Sequence, residues 1–245
     1  MLKITSQFDF QTLATTSVPA TLSQAYARYN ELIFTHTTAP EQSTVVTVQV
    51  DDLSEDYPQL ETDESYSLDI TDASVISLKA KTVYGALRGL ESLSQLVLFD
   101  FDTQEFSIPG SPISIQDAPR YNHRGLLLDT SRHYQPIASI KRTIDALSYA
   151  KYNVFHWHVV DTESFPFESL TYPKLWNGAY TSREKYTQSD VKDVVEYARL
   201  RGIKVHRLLS ISVSACYRLF VLNRLTTSCA LVPAVTDGSL LICLI

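Results

Sequence analysis

The first 205 residues contain no cysteine; Cys216, Cys229 and Cys243 all fall within residues 206–245. Uniform scatter would place all three there only about 0.4 % of the time, so a change of composition near residue 205 is the better reading. Three cysteines at irregular spacing fit no zinc pattern and no complete disulfide framework. Positive charge is not in excess either. Lys and Arg number 21 against 27 Asp and Glu, a net charge of −6, which argues against a nucleic-acid partner or an anionic-membrane surface. No run of about 18 apolar residues exists, so no membrane span is expected. The opening Met1-Leu-Lys-Ile-Thr-Ser-Gln7 lacks the apolar stretch of a secretory signal, and no Asn-x-Ser/Thr sequon occurs. On these features alone the compartment stays unknown: the chain is unsecreted, or its true amino terminus lies elsewhere.

What is present divides into three regions. Residues 1–116 read as a small α+β domain. Thr21-Leu-Ser-Gln24 has the form of a capping box, and Leu22, Ala25, Tyr26, Tyr29, Leu32 and Ile33 mark one helical face. Residues 44–50 are rich in β-branched residues. Tyr66, Leu68 and Ile70, then Ile76, Leu78 and Ala80, alternate with polar residues as in a hairpin. Val83, Leu87, Leu90, Leu93 and Val97 outline a second helix, and Gly-Ser-Pro at 110–112 with Ala118-Pro119 marks the exit.

Residues 117–205 change rhythm. Arg124-Gly-Leu-Leu-Leu-Asp-Thr-Ser-Arg-His-Tyr134 is an apolar run ending abruptly in polar groups, the pattern of a buried strand delivering chemistry at its carboxyl end. Asn153-Val-Phe-His-Trp-His-Val-Val-Asp161 does the same. Between them Ile137, Ile140, Ile144 and Leu147 keep helical spacing behind Pro136, well placed as a first helical residue. A further helix over 189–201, capped by Thr187 or Ser189 and stopped by Gly202, leads to a third strand beginning at Ile203. Strand, crossover helix, strand is the unit of a parallel sheet, and such sheets bind ligands at the carboxyl ends of their strands. The fold class is therefore α/β: a small α+β domain, then an incomplete (β/α)8 TIM barrel of about three strands.

From 206 to 245 the periodicity is lost. Nine Leu and five Ser accompany a single acid, Asp237, with no Lys or Glu. This stretch is expected to be an aberrant tail, arising from a frameshift, a retained intron or a gene-model error, with an adapted natural tail as the competing reading.

The block from Asp117 to Tyr134 closely resembles β-N-acetylhexosaminidases of glycoside hydrolase family 20. Lys151 to Asp161, Ser164-Phe-Pro-Phe167 and Val195 to Ile203 are similar to the same family. Asp63 to Leu68 and Thr82 to Glu91 look like the small domain that precedes its barrel. The resemblance implies removal of terminal N-acetylhexosamine with retention, the substrate's own acetamido oxygen acting as nucleophile. An Asp orients that group and an adjacent Glu protonates the leaving oxygen. It implies no cofactor, and as partners amino-sugar glycans such as chitin oligomers or glycoconjugates, with a homodimer for the intact family member. A lysosomal or extracellular setting is also implied.

By resemblance Arg132 is the arginine that holds hydroxyls of the terminal sugar; an ion pair with a strand-end carboxylate is the competing reading. Asp161 matches the acid that supports the catalytic Glu through an intervening His, against a plain loop-closing role. Thr162 stands where the family has a second acid. Arg124 and Asp129 read as structural and Trp157 as packing, while Trp176 is a candidate for sugar stacking. His156 and His158, two apart on a strand, share a face, but with no third ligand legible no metal site is expected. The family's Asp-Thr-Pro-Gly-His segment and catalytic Asp–Glu pair are not recognisable after Val205, and Asp237 is followed by Gly. The expectation is a chain without catalytic residues of its own; the alternative is a non-catalytic amino-sugar-binding or subunit-pairing fragment.

Overall fold

A computed structural model describes residues 2–4, 7–13, 17–36, 43–71 and 75–209. The expected tail therefore lies outside the described residues from 210 onward. Over its described residues the chain divides into two compact units, the first within Met1–Arg124, Ser148–Asn153 and Arg199–Lys204, the second within Gly125–Leu147, Val154–Ala198 and residues 205–209.

The first unit is built on five strands: β2 (Phe8–Thr12), β3 (Thr44–Asp52), β4 (Tyr66–Ile70), β5 (Ile76–Thr82) and β8 (Ile113–Asp117). They form one sheet in the order β2-β3-β5-β4-β8. Alternation makes the sheet two-faced: Val46, Val48 and Val50 of β3 are buried, while Val45, Thr47 and Gln49 lie on the other, more open face. The expected hairpin forms, β4 pairing antiparallel with β5. Helices α1 (Ala20–Ile33) and α2 (Val83–Leu96) supply the core opposite, through Leu22, Ala25 and Tyr29 and through Leu87, Leu90 and Leu93. Strands β1 (Leu2–Ile4), β7 (Glu105–Ile108) and β6 (Leu98–Asp100) form a second, smaller sheet.

The capping box at Thr21 does not form. Helix α1 starts at Ala20 with Pro19 at its N-cap and no side-chain cap. Glu55 takes over: its Oε1 accepts the Thr21 amide at 2.7 Å and the Thr21 hydroxyl at 2.6 Å. A carboxylate from elsewhere in the chain thus satisfies a free amide of the helix and suits its positive end. Helix α2 is capped locally, Thr82 Oγ1 accepting the Gly85 amide at 3.1 Å.

The first unit also contains a buried charge cluster. Glu64 Oε1 lies 2.6 Å from Arg88 Nη2, and its Oε2 lies 2.5 Å from Arg124 Nη2. Arg88 Nη2 donates to the Gly202 carbonyl at 2.8 Å. Asn153 Oδ1 accepts the Arg124 amide at 2.9 Å. Arg124 is structural, as its sequence context suggested.

Three further strands, β9 (Gly125–Asp129), β10 (Val154–Val160) and β11 (Lys204–Leu209), form a sheet in the order β11-β10-β9. Among the described residues this sheet is open: three strands of a barrel are present, with no closure. Helix α3 (Ile137–Tyr149) lies between β9 and β10 in the chain, and α4 (Gln188–Arg199) precedes β11. Pro136 sits just before α3, its carbonyl accepting from the Ser139 and Ile140 amides. Thr187 rather than Ser189 caps α4, exchanging hydrogen bonds with Asp190 in both directions. Gly202 adopts φ +68° as expected of a left-handed stop. Strand β11 continues past residue 205, where the sequence periodicity fades, to Leu209.

One expectation is corrected. Strand β10 is buried, but β9 is not: Leu126 is 45 % and Leu127 51 % exposed. The reason is its place at the sheet edge, where only β10 pairs with it among the described residues. No helix of the described residues is long and apolar enough to cross a membrane.

Candidate functional site

The site stands where β9 and β10 end. Parallel pairing sets Asp129 opposite His158, and paired residues on neighbouring strands project to the same face. Past Asp129 the chain turns sharply. Asp129 Oδ1 accepts the amides of Ser131 at 3.0 Å and Arg132 at 3.1 Å, a side chain closing its own turn. Its Oδ2 then meets Arg132 Nη1 at 2.7 Å. Arg132 is thereby held by both its backbone and its guanidinium, with the side chain still 58 % exposed.

Asp161, at the end of β10, splits its two oxygens between two tasks. Oδ1 closes the loop that follows, accepting the Glu163 amide at 2.7 Å and the Ser131 hydroxyl at 2.8 Å. Oδ2 faces the strand mouth, 3.4 Å from Arg132 Nε and 3.4 Å from His158 Nε2. The Arg132 distance suits charge attraction, yet among the described residues neither Asp161 Oδ2 nor His158 Nε2 has a hydrogen-bond partner. A buried carboxylate oxygen and a buried imidazole nitrogen are thus aimed into one small space without a hydrogen bond, an arrangement that ordinary core packing avoids.

Burial pushes the Asp161 carboxyl up, but the Glu163 amide, the Ser131 hydroxyl, the Ser164 amide and Arg132 outweigh it, leaving it below its ordinary value. Asp129 behaves alike: burial raises it, and the amide and guanidinium of Arg132 with the Ser131 amide more than offset that. Both acids are therefore ionised at neutral pH, next to a permanent cation. Tyr180, half exposed, lies in the same field; burial and then the charges of Glu163, Asp161 and Asp129 raise its phenol.

The structure brings Arg132 and Asp161 together. The ion-pair reading of Arg132 and the loop-closing reading of Asp161 both describe what is seen, and each residue keeps something in hand. Arg132 is paired yet exposed; Asp161 closes a loop with one oxygen and presents the other. Asp129, read from sequence as purely structural, is also the residue that anchors Arg132. Its signal is local: an Asp two and three residues before Ser131 and Arg132 is an Asx turn in the making. His156 does not join His158. Among the described residues the ligand-like atoms that converge are those of Asp129, His158 and Asp161, all within 4.8 Å of one another.

Trp157 is fully buried, its indole N–H donating to Thr130 Oγ1 at 2.8 Å, and is packing as expected. Trp176 offers little to a sugar on one side, since Lys185 Nζ sits 4.8 Å from its ring centre. The long loop before α4 is tied down by Tyr186, whose hydroxyl donates to the Gln135 carbonyl at 2.6 Å; burial pushes its phenol to about 12.

Known proteins share this order of domains along the sequence. Residues 121–210 match the family model described as glycosyl hydrolase family 20, catalytic domain, and residues 3–96 match beta-acetyl hexosaminidase like. The chain is 43 % identical over 207 residues to beta-hexosaminidase subunit B2 of Dictyostelium discoideum, an alignment covering 82 % of this chain and 36 % of that protein. It is 52 % identical over 153 residues to beta-hexosaminidase 1 of Arabidopsis thaliana, covering 60 % and 28 %. The X-ray structure of a Flavobacterium johnsoniae chitobiase superposes with a TM-score of 0.76 at 31 % identity, covering 90 % of this chain and 34 % of that one. The chain spans about a third of the length of these relatives. With both domain models matched in order along the sequence, and the same fold in a solved relative, the chain belongs to glycosyl hydrolase family 20, a family of glycosidases.

Proposed function

We propose that the protein is a β-N-acetylhexosaminidase in which Arg132 grips the terminal, non-reducing amino sugar. One observation carries this reading: a half-exposed guanidinium is fixed at a parallel-strand mouth by a carboxylate behind it. Its planar donors suit a pair of neighbouring hydroxyls, and Asp129 pre-orients them, so little side-chain entropy is lost on binding. Asp161 Oδ2 lies 3.4 Å from Arg132 Nε but accepts no hydrogen bond among the described residues, so it can still take a donor. In the substrate-assisted scheme that donor is the histidine through which this acid supports the proton-donating Glu. The substrate's acetamido oxygen would attack the anomeric carbon while that Glu gives its proton to the leaving oxygen.

The 245-residue chain itself has no Asp–Glu couple beyond Val205. General acid catalysis alone contributes about 10²–10⁴-fold, so the isolated chain is proposed to turn over nothing measurable. Purified chain incubated with p-nitrophenyl N-acetyl-β-D-glucosaminide should release no p-nitrophenol above the blank. Release that disappears in Arg132→Ala would show that the chain is catalytically complete after all.

A second reading, an amino-sugar-binding or subunit-pairing fragment, is favoured by the preformed grip at Arg132 and by the exposed edge of β9. Chitin oligomers and glycoconjugates are the proposed ligands, a lysosomal or extracellular space the proposed setting, and a homodimer the proposed assembly.

A further inference from the structure

We propose that Asp129, His158 and Asp161 form a binding site for a divalent transition metal of the zinc or cobalt class, which competes with the Arg132 guanidinium for the two carboxylates. Three ligand atoms already lie within 4.8 Å of one another. A tetrahedral ion with bonds of about 2.0–2.1 Å needs ligand atoms roughly 3.3–3.4 Å apart. His158 Nε2 and Asp161 Oδ2 stand at 3.4 Å, already at that edge length. Both atoms are buried, and both lack a hydrogen-bond partner among the described residues. An imidazole nitrogen and a carboxylate oxygen 3.4 Å apart without a hydrogen bond between them are what a shared cation would satisfy. Asp129 sits beside them through the β9–β10 register, within 4.8 Å, and has to close by up to about 1.4 Å to reach the same spacing.

The donor set selects the ion. One imidazole with two carboxylates suits zinc, cobalt, nickel or copper, whereas magnesium and calcium favour all-oxygen shells. Two carboxylates neutralise the metal's charge, and three protein ligands leave a fourth position for water. Arg132 is the obstacle: it holds Asp129 at 2.7 Å and approaches Asp161 at 3.4 Å. Its long exposed side chain can swing into solvent, so metal and guanidinium exclude each other from the same oxygens. Metal binding here needs no sugar and no turnover, but it draws on the Asp161 oxygen and the Arg132 guanidinium that the glycosidase reading also uses, so metal and sugar are expected to exclude each other.

The test uses the full chain and cobalt(II) alone, with Cys216, Cys229 and Cys243 replaced by Ser to remove competing thiolates. Visible d–d absorption is titrated and circular dichroism is recorded for every variant. One equivalent should bind saturably. Asp129→Asn should weaken binding at least tenfold and His158→Ala should abolish it. Arg132→Ala should tighten it, an outcome that a merely structural trio would not give. Absence of a saturable band overturns the proposal, as does a band left unchanged by both ligand substitutions. Should His158→Ala fail to fold, Asp129→Asn on the partly exposed acid decides alone.

Discussion

Arg132 and Asp129 are locked at both ends: one oxygen of the acid accepts the arginine's backbone amide at 3.1 Å, and the other meets its guanidinium at 2.7 Å. The aspartate therefore fixes where the arginine starts and where it finishes. Asp129→Ala should free the turn as well as the side chain. Loss of two amide hydrogen bonds lowers stability by about 1–2 kcal/mol, while Asp129→Asn, which keeps an acceptor for the amides, should lose less. Urea unfolding with unchanged slopes would measure both; equal losses in the two variants would show that the turn is not what Asp129 supports.

Glu64 is the more costly acid to remove. It faces both the buried Arg88 and the largely buried Arg124. Glu64→Gln would leave these cations with a neutral partner in a low-dielectric setting, and breaking such a pair costs about 3–5 kcal/mol. Denaturant midpoints should fall steeply, and a near-native midpoint would contradict a charge-based role for the cluster.

Asp63 makes stability respond to acid. The Ser65 hydroxyl, then Lys81 and the Ser65 amide, hold its carboxyl at about 2. Since the folded value lies below the unfolded one, its contribution is complete above about pH 4 and is lost as pH falls toward 2. Asp63→Asn should flatten that part of the stability profile. The difference from the parent chain should be largest above pH 4 and fade by pH 2.

Gly202 occupies a left-handed conformation at φ +68°, and a Cβ there would stand 3.2 Å from Tyr84 Cδ1 and 3.3 Å from Arg88 Nη2. Gly202→Ala should cost about 1–2 kcal/mol from the backbone alone. Thermal unfolding would register it, and an unchanged midpoint would mean that the turn adapts without strain.

Legibility follows the range of the interaction. Helix α3, strand β10 and the stop at Gly202 rest on local spacing and are readable within a residue or two. Thr21 misleads because its helix end is served by Glu55, 34 positions away, and nothing near Thr21 announces that partner. The apolar run of β9 suggests burial, but burial depends on neighbouring strands, and a place at the edge is a property of the sheet. Arg132 and Asp161 stand out through resemblance. Asp129 and His158 escape notice as a pair because only the β9–β10 register sets them side by side.

The most direct measurement is a calorimetric titration of the purified chain with an N-acetylglucosamine oligomer, run in parallel with Arg132→Ala. Saturable binding that falls at least tenfold in the variant is the expected result. Binding of equal strength with and without the guanidinium would contradict the claim that this strand mouth holds the sugar.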